Sequence, residues 1–112
     1  MEIRENIDGN IHVFELSGRL DSRTSPEFDE RLFKAIEEGS GNFIIDFEAL
    51  EYISSAGLRV LNKAYKKLKK DDGKIMMCNM VDYIKEVFEI AGFDTFLPIV
   101  GNRQDAYDSL SR

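Results

Sequence analysis

The sequence predicts an α/β fold: a mostly parallel, mixed β-sheet opened by a β-hairpin and covered by about four helices. Three observations predict it. Apolar runs of strand length alternate with amphipathic runs of helical period along nearly the whole chain. Turn-forming residues separate them at short intervals. After an opening pair of strands, the strand–helix alternation is that of right-handed crossovers, which build parallel sheet. The 112 residues suffice for one domain around one core, and no linker, repeat or low-complexity stretch divides residues 1–112.

The elements follow in order. Glu2 to Asn6 and Ile11 to Leu16 read as strands, and Asp8-Gly9-Asn10 between them supplies a tight turn because glycine takes positive φ without strain. Ser17 to Arg23 reads as a polar loop. Thr24-Ser25-Pro26-Glu27 opens a helix, since proline suits a first turn that lacks intrahelical donors and Thr24 or Ser25 can cap it. Phe28, Leu32, Ala35 and Ile36 share one face of that helix, which stops at Gly39. Asn42 to Phe47, built on Phe43-Ile44-Ile45, reads as a buried central strand. A second helix, Gly57 to Lys70, turns Gly57, Leu61, Ala64, Tyr65 and Leu68 inward, with Arg59, Asn62, Lys63, Lys66 and Lys67 outward. Lys74 to Cys78 is a further strand. Val81, Ile84, Val87, Phe88 and Ala91 mark a third amphipathic helix ended by Gly92. Phe96 to Val100 reads as a last strand, and Asn102 caps a short final helix carrying Ala106, Tyr107 and Leu110.

Composition excludes several functions. A net charge of −6 argues against nucleic acid or an anionic membrane as partner. The run Lys66, Lys67, Lys69, Lys70 is answered at once by Asp71 and Asp72 and falls at a helix end, where cations complement the dipole. The single cysteine, Cys78, rules out an internal disulfide and fits a reducing compartment. With no signal peptide and no apolar run of membrane length, the expected location is the cytoplasm. His12 is the sole histidine, so no His/Cys metal set can be assembled. A Ser-His-acid triad would have to use it, without a nucleophile-elbow sequence. No glycine-rich phosphate loop follows a strand, and the segment around Gly18 has only that one glycine. The expectation is a protein that is not an enzyme and uses neither cofactor nor metal.

The informative segment is Asp46 to Leu61. A buried strand leads through a short loop to Ser54 and Ser55, and a helix starts directly after them. Serine is favoured before a first turn because its oxygen accepts from free amides, so either residue can be simply an N-cap. The same geometry exposes a hydroxyl at one end of the sheet, where open α/β folds place their sites. A phosphate there would face the positive end of the helix dipole, yet add roughly −1.5 to −2 charges to a surface that a partner could occupy.

Tyr52-Ile53-Ser54-Ser55-Ala56-Gly57-Leu58-Arg59-Val60-Leu61 resembles the signature of STAS-domain anti-sigma factor antagonists. Leu16-Ser17-Gly18-Arg19-Leu20-Asp21 resembles the Gly-x-Leu-Asp element after the second strand of that family. Ile84 to Phe93 resembles its late helix ending in glycine. The three blocks stand in the family's order, and the resemblance covers residues 1 to 110. It implies a STAS fold and a partner-switching regulator. Unphosphorylated, such a protein binds an anti-sigma factor that is also a serine kinase of the GHKL type, and so frees a sigma factor. The kinase uses ATP and magnesium to phosphorylate it, which ends the binding, and a phosphatase of the PPM/PP2C type resets the switch.

The family's acceptor serine lies two residues before the motif glycine, which is Ser55 when anchored on Gly57. Many members carry Asp just before the acceptor. Here Ser54 stands there and becomes the second candidate, and Ala56 follows where some members have Ser. The resemblance implies a partner face of Asp21, Ser22, Thr24, Ser54, Ser55, Ala56, Gly57, Leu58 and Arg59. Asp21 can serve equally as a loop acceptor, and Leu58 equally as core. The resemblance also admits a STAS subunit of a transport or stress-signalling complex that is never phosphorylated, and a weak nucleotide-binding protein. A monomer is expected.

Overall fold

The computed structural model describes residues 1–39 and 41–111. The elements are β1 (Glu2–Asp8), β2 (Ile11–Leu20), α1 (Ser25–Glu37), β3 (Asn42–Ile53), α2 (Ser55–Lys70), β4 (Lys74–Cys78), α3 (Asp82–Ile90), a 3-10 turn (Phe93–Thr95) and α4 (Arg103–Leu110). The sheet order is β1-β2-β3-β4. The opening hairpin pairs β1 and β2 antiparallel, and β2–β3 and β3–β4 are parallel. The fold class is the one the sequence predicts, a mixed and mostly parallel sheet with four helices.

Strand alternation sorts the side chains into two layers. On one face, Phe14, Leu16, Phe43, Ile45, Ile75 and Met77 meet the apolar stripes of α1, α2 and α3 in the main core. On the other, Ile11, Val13, Ile44 and Cys78 are covered by α4 through Ala106, with Tyr107 and Leu110 at the margin. The expected buried face of the first helix, Phe28, Leu32, Ala35 and Ile36, is the observed one. The central strand β3 is buried over Phe43 to Phe47, with Phe47 edge-on to Phe88 of α3.

Four expectations need correction. The strand expected at Phe96–Val100 does not form. That segment touches β4 through one parallel bridge, Met77 to Ile99, with Met77 N donating to Pro98 O and Val100 N donating to Met77 O. Pro98 has no N–H to extend a ladder, and the preceding 3-10 turn redirects the chain. The polar segment from Ser17 is not all loop. β2 continues to Leu20 with its register against β3 shifting twice, between Glu15 and Ser17 and again after Gly18, where φ is +96°, a conformation glycine adopts freely. Likewise β3 does not stop at Phe47 but runs 12 residues to Ile53, so a strand rather than a loop carries the chain to the serines. The helical faces also shift slightly. Val60 joins the buried side of α2, the Oδ1 of Asn62 is enclosed, and Val81 and Ala91 are exposed positions flanking α3.

Candidate functional site

The long β3 delivers its last residues to the end of the sheet where β2 also finishes. Ser54 N donates to Leu20 O at 2.9 Å, and Ser54 O accepts from Leu58 N at 3.1 Å, so residue 54 ends the strand and begins the helix through its backbone. Its extended backbone, φ −101° and ψ 175°, is that of an N-cap, yet the side chain makes no capping bond. The Ser54 hydroxyl is enclosed and has no hydrogen-bond partner among the described residues. Ser55 is the first residue of α2, and its side chain is exposed. Two adjacent serines, alike in sequence, therefore point into different environments.

Gly57 seats the helix. A Cβ placed there would lie 2.8 Å from Leu20 Cγ and 2.9 Å from Ile53 Cγ1. No hydrogen beyond the α-protons fits, so the first turn of α2 rests directly on the ends of β2 and β3. Neither a capping side chain nor an acidic residue occupies that turn, and Lys67, Lys69 and Lys70 fall in the last turn. No acid within the first turn of α2 complements the positive end of its dipole, whereas the lysines of the last turn complement the negative end.

The loop between β2 and α1 borders the same surface. Asp21 Oδ1 accepts from the backbone N–H of Arg23 at 3.0 Å and of Thr24 at 3.2 Å. Thr24 Oγ1 accepts from Asp21 N and donates to Arg19 O, so Thr24 stands at the N-cap position of α1 but spends its hydroxyl on the loop. The Arg23 amide first, and Thr24 next, hold the Asp21 carboxyl below its usual pKa of 3.8. Asp21 thus shapes the loop, and its Oδ2 also lies 3.9 Å from the Arg19 guanidinium, which stacks 4.1 Å over Tyr52. Between α1 and α2 lies an open cleft of about 500 Å³, lined by Ser22, Ser25, Asp29, Ala56, Arg59 and Lys63. Lys63 bridges it to Asp29 at 2.7 Å.

Of the residues expected on one face, the structure brings Ser22 together with Ala56 and Arg59 on the cleft; Asp21 and Thr24 belong to the same loop as Ser22, and Ser55 precedes Ala56. The structure removes three from the surface in differing degree. Leu58 is 6 % exposed and belongs to the main core, so its side chain is not available for contact. Gly57 is buried beneath Leu20, and Ser54 presents no hydroxyl. The stripe of α2 decides Leu58: at three residues before Leu61 it falls on the inward side.

One feature escapes sequence reasoning. Asp46, 4 % exposed in mid-β3, accepts from Arg103 Nη2 at 2.7 Å and Nε at 3.1 Å, from Glu48 N at 2.9 Å and from Asn79 Nδ2 at 3.2 Å. Arg103 also donates to Glu15 at 2.8 Å. The only signal was an acid closing an apolar run. Its partner stands 57 residues away, and no local pattern links the two. No group of three or more His, Cys, Asp or Glu side chains among the described residues is placed to hold a metal ion. No described helix is long and apolar enough to cross a membrane.

The chain has named relatives and structural neighbours. It is 32% identical over 102 residues to a Bordetella bronchiseptica protein named "Putative anti-sigma factor antagonist BtrV", covering 91% of this chain and 87% of that one. An anti-sigma factor antagonist from Mycobacterium paratuberculosis superposes with a TM-score of 0.91 at 22% identity, over 99% of this chain and 94% of that one. The phosphorylated form of SpoIIAA, a Bacillus cell fate determinant, gives a TM-score of 0.77 at 18% identity, over 99% and 100%. The two structural likenesses extend over nearly the whole chain, and residues 2–106 match the STAS domain model: this chain belongs to the STAS domain family.

Proposed function

We propose that this STAS domain is an anti-sigma factor antagonist, a partner-switching regulator and not an enzyme. Unphosphorylated, it docks on an anti-sigma factor with serine kinase activity of the GHKL type. Phosphate on Ser55 ends the docking, and a PPM/PP2C-type phosphatase restores it. The domain is a single unit that works as a monomer in the cytoplasm. The observation that carries the reading is the exposed Ser55 hydroxyl in a first turn of α2 that holds no acid, with the next residue, Ala56, lining a cleft together with Arg59 and the exposed loop residue Ser22. A partner seated across that face would meet a phosphate at its centre, and about two added negative charges would repel it. The names of BtrV and of the two structural neighbours point the same way. Ser54 is the weaker acceptor because a kinase cannot reach an enclosed hydroxyl without opening the junction.

Phosphopeptide mapping after reaction with the cognate kinase, ATP and magnesium tests the assignment. Phosphate should appear on Ser55, and Ser55→Ala should abolish its incorporation. Wild-type protein should capture the kinase in a pull-down, and Ser55→Asp should lose it. Phosphate confined to any other residue overturns the site.

A further inference from the structure

We propose that Arg59 clasps the phosphate carried by Ser55, so that the modified side chain is pinned along α2 instead of extending into solvent. The inference rests on the phosphoserine reading and deepens it. Ser55 and Arg59 are four residues apart on one helix, and both are exposed. At that spacing their Cβ atoms lie about 5–6 Å apart on a common face. A phosphoserine oxygen and a guanidinium can bridge that gap, in the bidentate geometry for which arginine is suited.

Arg59 is available for the task. It enters no ion pair or side-chain hydrogen bond among the described residues, whereas Arg19 and Lys63 nearby are engaged; Arg23 on the β2–α1 loop is likewise unpaired among them and provides the control. Arg19 is held by Tyr52 and Asp21, and Lys63 by Asp29. Arg59 is the fifth residue of α2, and the turn before it holds no acid for it to pair with. A phosphate on residue 55 drawn along the helix would satisfy the guanidinium. It would also withdraw Arg59 from the cleft it lines between α1 and α2. Loss of a partner would then follow from two changes, a new anion and a sequestered cation.

The test uses full-length protein with phosphoserine installed at position 55 during translation, so that it does not depend on which residue a kinase selects. The second ionisation of the phosphate is followed by ³¹P NMR against pH, in native buffer and in urea. The native phosphate should titrate lower than the unfolded one by about half a unit or more, because a nearby cation favours its dianion. Arg59→Gln should return at least half of that shift, Arg59→Lys should keep part of it, and Arg23→Gln, on the neighbouring loop, should leave it in place. Arg59 is exposed, so these variants should fold, as amide spectra would confirm. An unchanged shift in Arg59→Gln, its loss in Arg23→Gln instead, or no native shift at all would each overturn the clasp. Failure of the Ser55 assignment would appear separately, in the phosphopeptide map.

Discussion

Replacing Gly57 by alanine sets two effects of opposite sign against each other. Alanine is the better helix former, by about 0.8–1.0 kcal/mol in a helix interior and less so close to an end. Propensity alone therefore predicts a gain. The structure predicts a loss. The new methyl would sit 2.8–2.9 Å from Leu20 and Ile53 carbons, about 0.6–0.7 Å inside ordinary carbon–carbon contact. Leu20 is 0 % and Ile53 3 % exposed, so neither can swing into solvent to make room. Overpacking of this kind costs about 1–3 kcal/mol. Setting the propensity gain, reduced near the helix end, against it leaves a net loss of about 0.5–2 kcal/mol. For a domain of this size that is a fall in Tm of about 2–10 °C. Urea unfolding of the wild type and Gly57→Ala, followed by circular dichroism, measures it directly. The midpoint should fall with an unchanged slope, because the variant still folds to the same compact state. A variant as stable as the wild type, or more so, would refute the close seating of α2 on β2 and β3.

Four further outcomes follow from the same structure. Arg103→Met keeps the aliphatic stem but strips Asp46 of two charge-assisted bonds. Because the Arg103 side chain is a third exposed and water can partly replace it, the loss should be about 2–3 kcal/mol and not the full cost of an orphaned buried charge, read by urea unfolding, and a cycle with Asp46→Asn should show coupling above about 1 kcal/mol. Ser54→Ala should be neutral or slightly stabilising by the same assay, since it removes an enclosed hydroxyl without a partner. The Cys78 thiol is pushed up to about 12, chiefly by burial and then by Asp46. Native protein at pH 8 should therefore resist a thiol reagent that reacts at once in urea. Asp21 has a folded pKa below its unfolded value, so the stability it contributes is present above about pH 4 and is lost as pH falls through the folded pKa. Asp21→Asn should consequently lower Tm at pH 7, with the difference from wild type closing as pH falls through the folded pKa of Asp21.

The sequence made the architecture readable because the two periodicities are clean. The stripe Phe28, Leu32, Ala35, Ile36 and the run Phe43-Ile44-Ile45 each admit one reading, and burial agrees with both. Errors arose where a local pattern was overruled by tertiary contacts. Ser17-Gly18-Arg19 is polar enough to read as loop, but pairing with β3 holds it in the sheet and Gly18 stands at one of the two register shifts. Leu97, Ile99 and Val100 look like a strand, yet Pro98 and the preceding 3-10 turn leave a single bridge. At the site, the motif set both serines just ahead of a helix expected from Gly57, whereas α2 begins at Ser55 with Ser54 as its N-cap position, and the motif could not tell an enclosed hydroxyl from an exposed one. That distinction is set by one residue of advance along the chain as strand becomes helix. The Asp46–Arg103 pair was invisible for a different reason, because it joins residues with no shared periodicity.

The arrangement separates what holds the protein together from what would be altered by modification. Asp46 is fixed midway along β3 by α4, and Gly57 locks the head of α2 onto the sheet. Between these anchors the chain exposes Ser55, whose hydroxyl makes no hydrogen bond to any described residue. Adding a group there breaks nothing internal, and a negative charge meets a helix end that lacks one. A phosphate on Ser54 would instead have to displace the contacts that enclose its oxygen, coupling modification to unfolding of the junction. A switch that must be thrown repeatedly needs the first arrangement: the fold stays constant, and only the charge and shape offered to a partner change.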